Sequence, residues 1–171
     1  FPLNFDSPYT ALSIQDFWRR WHMTLSRWLR DYLYIPLGGN RGGNGRTYRN
    51  LMLTFVLGGL WHGAAWTFVV WGAIHGGVLS IEHWRRSVRT AKGLPEPPDT
   101  LVRRVGARVL TFNVVCFAWV FFRSESLTRA FDYLGDMINP SNWFSASPLV
   151  TFGVVLAIVI GIGGQFVPHD F

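Results

Sequence analysis

The sequence predicts an all-α fold, as part of a polytopic helical membrane protein with an interfacial amphipathic helix and a broken or re-entrant helical segment. Of the 171 residues, 49% are hydrophobic and 16% aromatic, whereas only 15% are charged, so charges are rarer than in an ordinary soluble domain. The charges also lie in blocks, because 51–81 and 109–122 contain no Lys, Arg, Asp or Glu. Finally, apolar residues recur with the period of an α-helix in the N-terminal region.

Residues 1–171 are predicted to form a single membrane domain. The chain begins FPLNFDSPYTALS, without an initiating Met and without a charged segment before a short apolar core, so no signal peptide is predicted. We therefore expect a piece of a longer protein.

Residues 13–37 are predicted to form an amphipathic helix. Ser13 is a suitable N-cap, and Asp16 places a carboxylate near the positive helix end. At about 100° per residue, one arc collects the aromatic and aliphatic side chains together with His22, while arginines take the other side. Trp, Tyr and Arg are typical of membrane interfaces, so this helix should lie at a membrane surface or at the edge of a bundle.

Residues 38–50, GGNRGGNGRTYRN, are predicted to be a glycine-rich basic loop. The loop superficially resembles an RGG segment, but it has no stacking platform of alternating aromatic and basic residues, so no nucleic-acid partner is expected. Contact with anionic lipid head groups, contact with a phosphorylated donor, and simple exposure to solvent stay open.

Residues 51–81 are predicted to be a broken or re-entrant membrane segment that carries the catalytic group. The uncharged run is longer than the roughly 20 residues of one spanning helix and too short for two. The pairs Gly58-Gly59 and Gly76-Gly77 suggest where the path is broken. Irregular backbone at membrane depth persists only where it is buried in protein or lines a cavity.

The rest of the chain predicts a loop and two membrane helices. Residues 82–108 carry seven Lys or Arg against three acids and form a basic cytoplasmic loop by the positive-inside rule. Residues 101–122 are expected to be a membrane helix whose first arginines snorkel, and 149–167 are the clearest single span. A re-entrant path through 51–81 would leave both basic segments on the cytoplasmic side.

His62, between Trp61 and Gly63, is the candidate general base. Desolvation in an apolar run favours neutral imidazole, which can take a proton from a hydroxyl, and the flanking glycines allow close approach of a substrate. No Asp or Glu lies between Asp31 and Glu82, so any group that orients His62 must come from elsewhere in the fold.

The other histidines are less distinctive. His22, on the apolar arc, can polarise a carbonyl or position a thioester, although a packing role is equally compatible with its position. His75 is interpreted as a packed, hydrogen-bonded core residue, and His83 and His169 as surface or interfacial residues.

The signature motifs of several classes of enzyme are absent from the sequence. The sequence has no GxSxG, HExxH, P-loop or CxxC motif, and the single Cys116 cannot form an internal disulfide. No metal site and no permanently bound cofactor are predicted.

Three blocks resemble the membrane-bound O-acyltransferase (MBOAT) family, and more narrowly its bacterial branch that acetylates exopolysaccharides, the alginate O-acetyltransferase group. They are SIQDFWRRWHMTLSRWLRDYLYIPLGGNRGG, LGGLWHGAAWTFVVWGAIHG and LTFNVVCFAWVFFRSESLTRAFDYL. The resemblance covers most of 1–140.

The resemblance implies roles for two residues. The histidine of the family's WHG motif, its accepted catalytic residue, falls on His62, and the assisting histidine of the FWRRWH motif falls on His22. The implied reaction transfers an acetyl group from a cytoplasmic thioester, such as acetyl-CoA, to a hydroxyl of an exported, alginate-like polysaccharide or of an intermediate carrier protein.

The resemblance also implies a setting. We expect helices around an active-site tunnel in a multi-pass protein of the bacterial inner membrane, with membrane lipids as partners. The family's N-terminal membrane helices have no counterpart in this sequence, so the resemblance implies the C-terminal portion of a longer chain. The alternative is a non-catalytic transport or scaffold module, in which a glycine-broken helix and buried histidines line a permeation path.

Overall fold

The structure, a computed structural model, describes residues 3–139, 141 and 160–166. The predicted all-α class is confirmed, since the described residues contain no strand. The helices are α1 Ile14–Arg20, α2 Met23–Leu29, α3 Asn44–His62, α4 Trp66–Ala91, α5 Leu101–Arg123 and α6 Leu127–Ile138.

The single amphipathic helix expected over 13–37 is broken. Ser13 caps α1 as predicted, because its hydroxyl accepts a hydrogen bond from the Asp16 N–H at 3.0 Å. The chain then leaves the helix at Trp21 and His22, and α2 is followed by a π-helical turn, Arg30–Tyr34. The cause is distant in sequence: Asn4 accepts hydrogen bonds from the backbone N–H groups of the first two residues of α2, through its carbonyl and its side chain.

The glycine-rich loop is shorter than the expected 38–50, because α3 begins at Asn44. Gly38, Gly39, Gly42 and Gly43 have positive φ angles, a region that suits glycine. Asn50, only 1% exposed, anchors the loop by donating hydrogen bonds to the carbonyl oxygens of Leu37 (3.0 Å) and Gly39 (2.9 Å).

The segment 51–81 is broken, but not at its glycine pairs. Helices α3 and α4 form an antiparallel hairpin with the break at residues 63–65. A Cβ atom at Gly59 would lie 2.3 Å from the carbonyl oxygen of Phe68, and one at Gly72 would lie 2.3 Å from that of Phe55. The expectation that Gly58-Gly59 and Gly76-Gly77 break the helix was therefore wrong: several glycines here allow two backbones to approach closely.

The expected basic loop 82–108 is also shorter. Helix α4 continues to Ala91 and α5 begins at Leu101, so only 92–100 connect them. The predicted helix over 101–122 is present as α5, and among the described residues α5 alone is long and apolar enough to cross a membrane. The span expected at 149–167 lies outside the described residues except for 160–166.

The core lies where α1 crosses α4 and α5. It is built from Phe17 and Trp18 of α1, Trp71 and Leu79 of α4, and Val115, Ala118 and Phe121 of α5. The carboxylate of Glu82 on α4 accepts hydrogen bonds from the backbone N–H groups of Ile14 (2.7 Å) and Gln15 (3.2 Å). Because these N–H groups have no partner within the helix, Glu82 both caps α1 and holds it against α4.

Candidate acyl-transfer site

His62 is the last residue of α3, at the turn of the hairpin. Its partly buried ring packs against three aromatic rings from α4 and α5: Phe122 at 4.9 Å, Trp71 at 5.6 Å and Phe68 at 6.2 Å between centroids. Gly63 allows this packing, since a Cβ atom there would lie 2.6 Å from the Phe68 ring. The sequence located the imidazole in an apolar segment; the aromatic enclosure depends on α5 and was not predicted.

His22 lies at the break between α1 and α2, not on the face of a continuous helix as expected. Its backbone is left-handed, with φ 44° and ψ 52°, a conformation that costs about 1–3 kcal/mol for a residue with a side chain. Its Nδ1 atom is buried and has no hydrogen-bond partner among the described residues. Backbone strain and an unpaired polar atom in one residue are observations that favour a functional role.

The two predicted histidines lie on segments that pack against each other. Helix α2 begins directly after His22, and its Leu29 lies against Gly58 of α3, four residues before His62. Forty residues separate the histidines along the chain, and their segments meet because α1 and α2 pack on the α3–α4 hairpin. Two imidazoles that act at one site could divide the work of proton transfer and carbonyl polarisation.

No carboxylate completes a triad in the described part of the chain, where no side chain forms a hydrogen bond with His62. The same residues contain no group of three His, Cys, Asp or Glu side chains that would hold a metal ion.

His75 behaves as a core residue, in agreement with its interpretation from sequence. It is 0% exposed and its Nδ1 atom accepts a hydrogen bond from the Trp18 indole N–H at 3.3 Å. This pairing joins residues 57 positions apart, so no local pattern could have predicted it.

A cavity of about 500 Å³ lies between α1–α2 and α3–α4. Its apolar wall includes Trp18, Leu29, Leu51, Phe55 and Leu79, and its polar wall includes Arg19, Arg27, Arg30, His83 and Arg86. No carboxylate is among the described lining residues. The cavity therefore combines apolar surface with a positive potential, which suits a ligand that has an aliphatic part and anionic groups.

The cavity follows α3 toward His62. Leu51 and Phe55 line it, and His62 lies seven residues beyond Phe55, about 10 Å along the helix axis. Between Phe55 and His62, Leu29 packs on Gly58: a Cβ atom added at Gly58 would lie 3.2 Å from Cδ1 of Leu29. The cavity was not predicted from the sequence, because the arginines that α1 and α2 contribute to it lie on the polar side of the predicted amphipathic helix. His83, interpreted as a surface residue, lines it with a buried, unpaired Nδ1.

Residues 2–97 match the membrane-bound O-acyltransferase family. The peptidoglycan O-acetyltransferase of Helicobacter pylori is 53% identical over 138 residues, which are 81% of this chain and 25% of that protein. The probable alginate O-acetylase of Azotobacter vinelandii is 51% identical over 140 residues, 82% of this chain and 26% of that protein.

A more distant relative is the teichoic acid D-alanyltransferase of Bacillus subtilis, which is 33% identical over 135 residues, 72% of this chain and 33% of that protein. The chain thus spans about a quarter to a third of the length of these relatives. The region 2–97 that matches the family contains both histidines and the residues that line the cavity.

Proposed function

Because this chain belongs to the membrane-bound O-acyltransferase family, we propose that it carries the acyl-transfer site of a membrane O-acetyltransferase. The reaction moves an acetyl group from a cytoplasmic thioester, such as acetyl-CoA, to a hydroxyl of an exported polysaccharide or of an intermediate carrier protein. The observation that carries the proposal is that His62, enclosed by aromatic rings at the end of α3, follows on the same helix from a cavity that is apolar on one wall and basic on the other.

In this proposal His62 is the general base. It takes the proton of the acceptor hydroxyl while the hydroxyl oxygen attacks the thioester carbonyl carbon. The tetrahedral intermediate collapses, the carbon–sulfur bond breaks, and His62 returns the proton to the departing thiolate. The products are an ester and a free thiol, so atoms and charges balance, and His22 acts as the second polar group near the carbonyl.

The cavity supports the choice of donor. A thioester of coenzyme A combines an extended aliphatic-amide arm with several phosphate groups. The arm suits the wall of Leu51, Phe55 and Leu79, and the phosphates suit Arg19 and Arg27. A donor that lies along α3 would direct its acyl end toward His62.

The acceptor is inferred from relatives. The names of the similar proteins refer to peptidoglycan, alginate and teichoic acid, all of them polymers of the cell surface. We therefore favour an exported, alginate-like polysaccharide, reached directly or through a carrier protein, and no nucleic-acid partner.

The proposed setting is the bacterial inner membrane, with several spans and with lipids as neighbours. Helix α5 supplies one candidate span. The tunnel expected around the site would be formed jointly with segments outside the described residues.

The proposal is tested by replacing His62 with Ala in the complete gene product in its own host. General-base catalysis contributes about 100-fold to 10,000-fold, so acetate released from the surface polymer by alkali should fall at least 100-fold, with unchanged protein in the membrane fraction. His169→Ala is the matched histidine control. Undiminished acetylation by the His62 variant would reject the proposal, and altered solute uptake with normal acetylation would favour the transport alternative.

A further inference from the structure

An aromatic cluster lies behind His62. A general base must be held in a defined orientation if it is to reach the hydroxyl proton. Within the described residues no hydrogen bond holds the His62 ring, so its orientation depends on ring contacts. Those rings differ in burial, and one of them is more deeply buried than the others.

Trp71 is the most deeply buried of these rings. It is 5% exposed, and its indole meets the His62 ring almost edge to face, with 5.6 Å between centroids and an interplanar angle of 86°. It also contacts Phe122, at 5.3 Å, and this ring in turn contacts His62. Edge-to-face contacts between aromatic rings contribute about 0.5–1.5 kcal/mol beyond simple burial.

The glycine contacts of the hairpin determine where Trp71 lies. A Cβ atom at Gly59 would be 3.4 Å from Cε3 of Trp71, so the indole is seated against α3 just before His62. Gly59 and Gly72 allow α3 and α4 to approach until Trp71 and His62 are neighbours. Trp71 therefore reaches His62 because of backbone geometry and not because of a flexible side chain.

His75 supports Trp71 from the next turn of α4. Its ring lies 5.0 Å from that of Trp71, at an interplanar angle of 67°. The hydrogen bond from Trp18 fixes the position of His75 and makes its Nδ1 the acceptor, so the imidazole is neutral with its proton on Nε2. Trp18 belongs to α1, the helix that ends just before His22.

We propose that Trp71 is the positioning residue of His62, and that the hydrogen-bonded pair Trp18–His75 holds Trp71 in place. The contacts connect α1 to His62 through Trp71, which Trp18 reaches both directly, at 5.8 Å between ring centroids, and through His75. Through these contacts α1, the helix that precedes His22, also determines the orientation of His62. The inference rests on the proposed function, because it assigns His62 as the reacting base.

The first experiment compares Trp71→Leu with Trp71→Phe in membranes that contain the complete gene product. The probe is [14C]acetyl-CoA at varied concentration, with alginate and peptidoglycan fragments as alternative acceptors. We expect Trp71→Leu to lower kcat about 10-fold to 100-fold, as for a displacement of about 1 Å at the reacting group, with KM for acetyl-CoA within about 2-fold. Trp71→Phe keeps a ring edge and should recover most of kcat.

Trp84→Leu is the matched control, because Trp84 is on the same helix but 53% exposed; it should leave kcat unchanged. If Trp71→Leu does not accumulate, Trp71→Met replaces it, since Met fills much of the volume without a ring. A kcat within about 2-fold of the unmodified protein for the variant without a ring would overturn the proposal. A rise in KM with unchanged kcat would also overturn it.

The second experiment tests His75. His75→Leu removes the acceptor for the Trp18 indole and should lower kcat about 10-fold. His75→Asn supplies Oδ1 near the position of Nδ1 and should recover part of this loss. Equal kcat values for the two variants would reject the role of the Trp18–His75 pair.

His62→Ala separates this inference from the proposed function. If His62→Ala keeps acetylation, the proposed function fails. If His62→Ala is inactive while Trp71→Leu and His75→Leu react normally, only the positioning inference fails.

Discussion

Gly59→Ala tests whether the close approach of α3 and α4 holds the site together. The added methyl carbon would lie 2.3 Å from the Phe68 carbonyl oxygen, whereas a carbon and a carbonyl oxygen in close contact are about 3.3 Å apart. The two helices would therefore have to separate by about 1 Å. Overpacking of this kind costs about 1–3 kcal/mol of folding free energy.

The same change should reduce catalysis, because Gly59 lies one turn before His62 and the added carbon would also press on Trp71. A displacement of about 1 Å near the reacting group can cost about 100-fold in rate. We expect a lower midpoint of thermal unfolding in detergent, together with a loss of polymer acetylation that exceeds the loss of membrane-inserted protein.

Gly77→Ala provides the control on the same hairpin. A Cβ atom at Gly77 would meet only the Cε atom of Met52, at an ordinary 3.9 Å. Ala at a compatible helical position stabilises a protein by about 0.4–1 kcal/mol, so this variant should be at least as stable as the unmodified protein. Equal melting midpoints and equal acetylation for Gly59→Ala and Gly77→Ala would refute the argument that this backbone contact positions His62.

Three further predictions concern single side chains. His22→Gly relieves the left-handed strain and should raise the free energy of unfolding by about 1 kcal/mol, measured by thermal melting, while acetylation falls; a less stable protein would contradict the strain argument. Asn50→Ala removes the two hydrogen bonds that anchor the glycine-rich loop and should cost about 1–3 kcal/mol. The loss should be visible as faster proteolysis within 38–43; unchanged cleavage would show that another contact holds the loop. Arg27→Gln should raise KM for acetyl-CoA several-fold and leave kcat nearly unchanged, as expected for a residue that binds the substrate and its transition state equally. Arg129→Gln, at an exposed arginine, is the control and should change neither constant. An unchanged KM for Arg27→Gln would show that this arginine does not bind the donor.

The break at Trp21 and His22 shows what local pattern misses. The apolar periodicity continues across it, so the sequence favours one helix. The deciding contacts come from Asn4, whose carbonyl and side chain satisfy the first N–H groups of α2. A capping residue that lies almost twenty residues before the helix cannot be recognised from the periodicity of the helix itself.

The glycine pairs show a different limit. Glycine in an apolar helix is compatible with a break and with close helix packing, and the sequence alone does not separate the two. The carbonyl oxygens of Phe55 and Phe68 decide in favour of close packing at Gly72 and Gly59, because each oxygen lies only 2.3 Å from the position that a Cβ atom would take. Only the pairing of α3 with α4 supplies those atoms.

The sequence by itself determined the helical class, the N-cap at Ser13 and the choice of His62 as the residue to examine. These depend on neighbours within a few positions, through composition, capping and short motifs. The tertiary structure decided that Phe122 of α5 packs against His62, that Trp18 hydrogen-bonds to His75, and that a basic-walled cavity lies beside α3. Such contacts join residues that are distant in the sequence, and they depend on the close packing of α3 and α4 that the glycines of the hairpin allow.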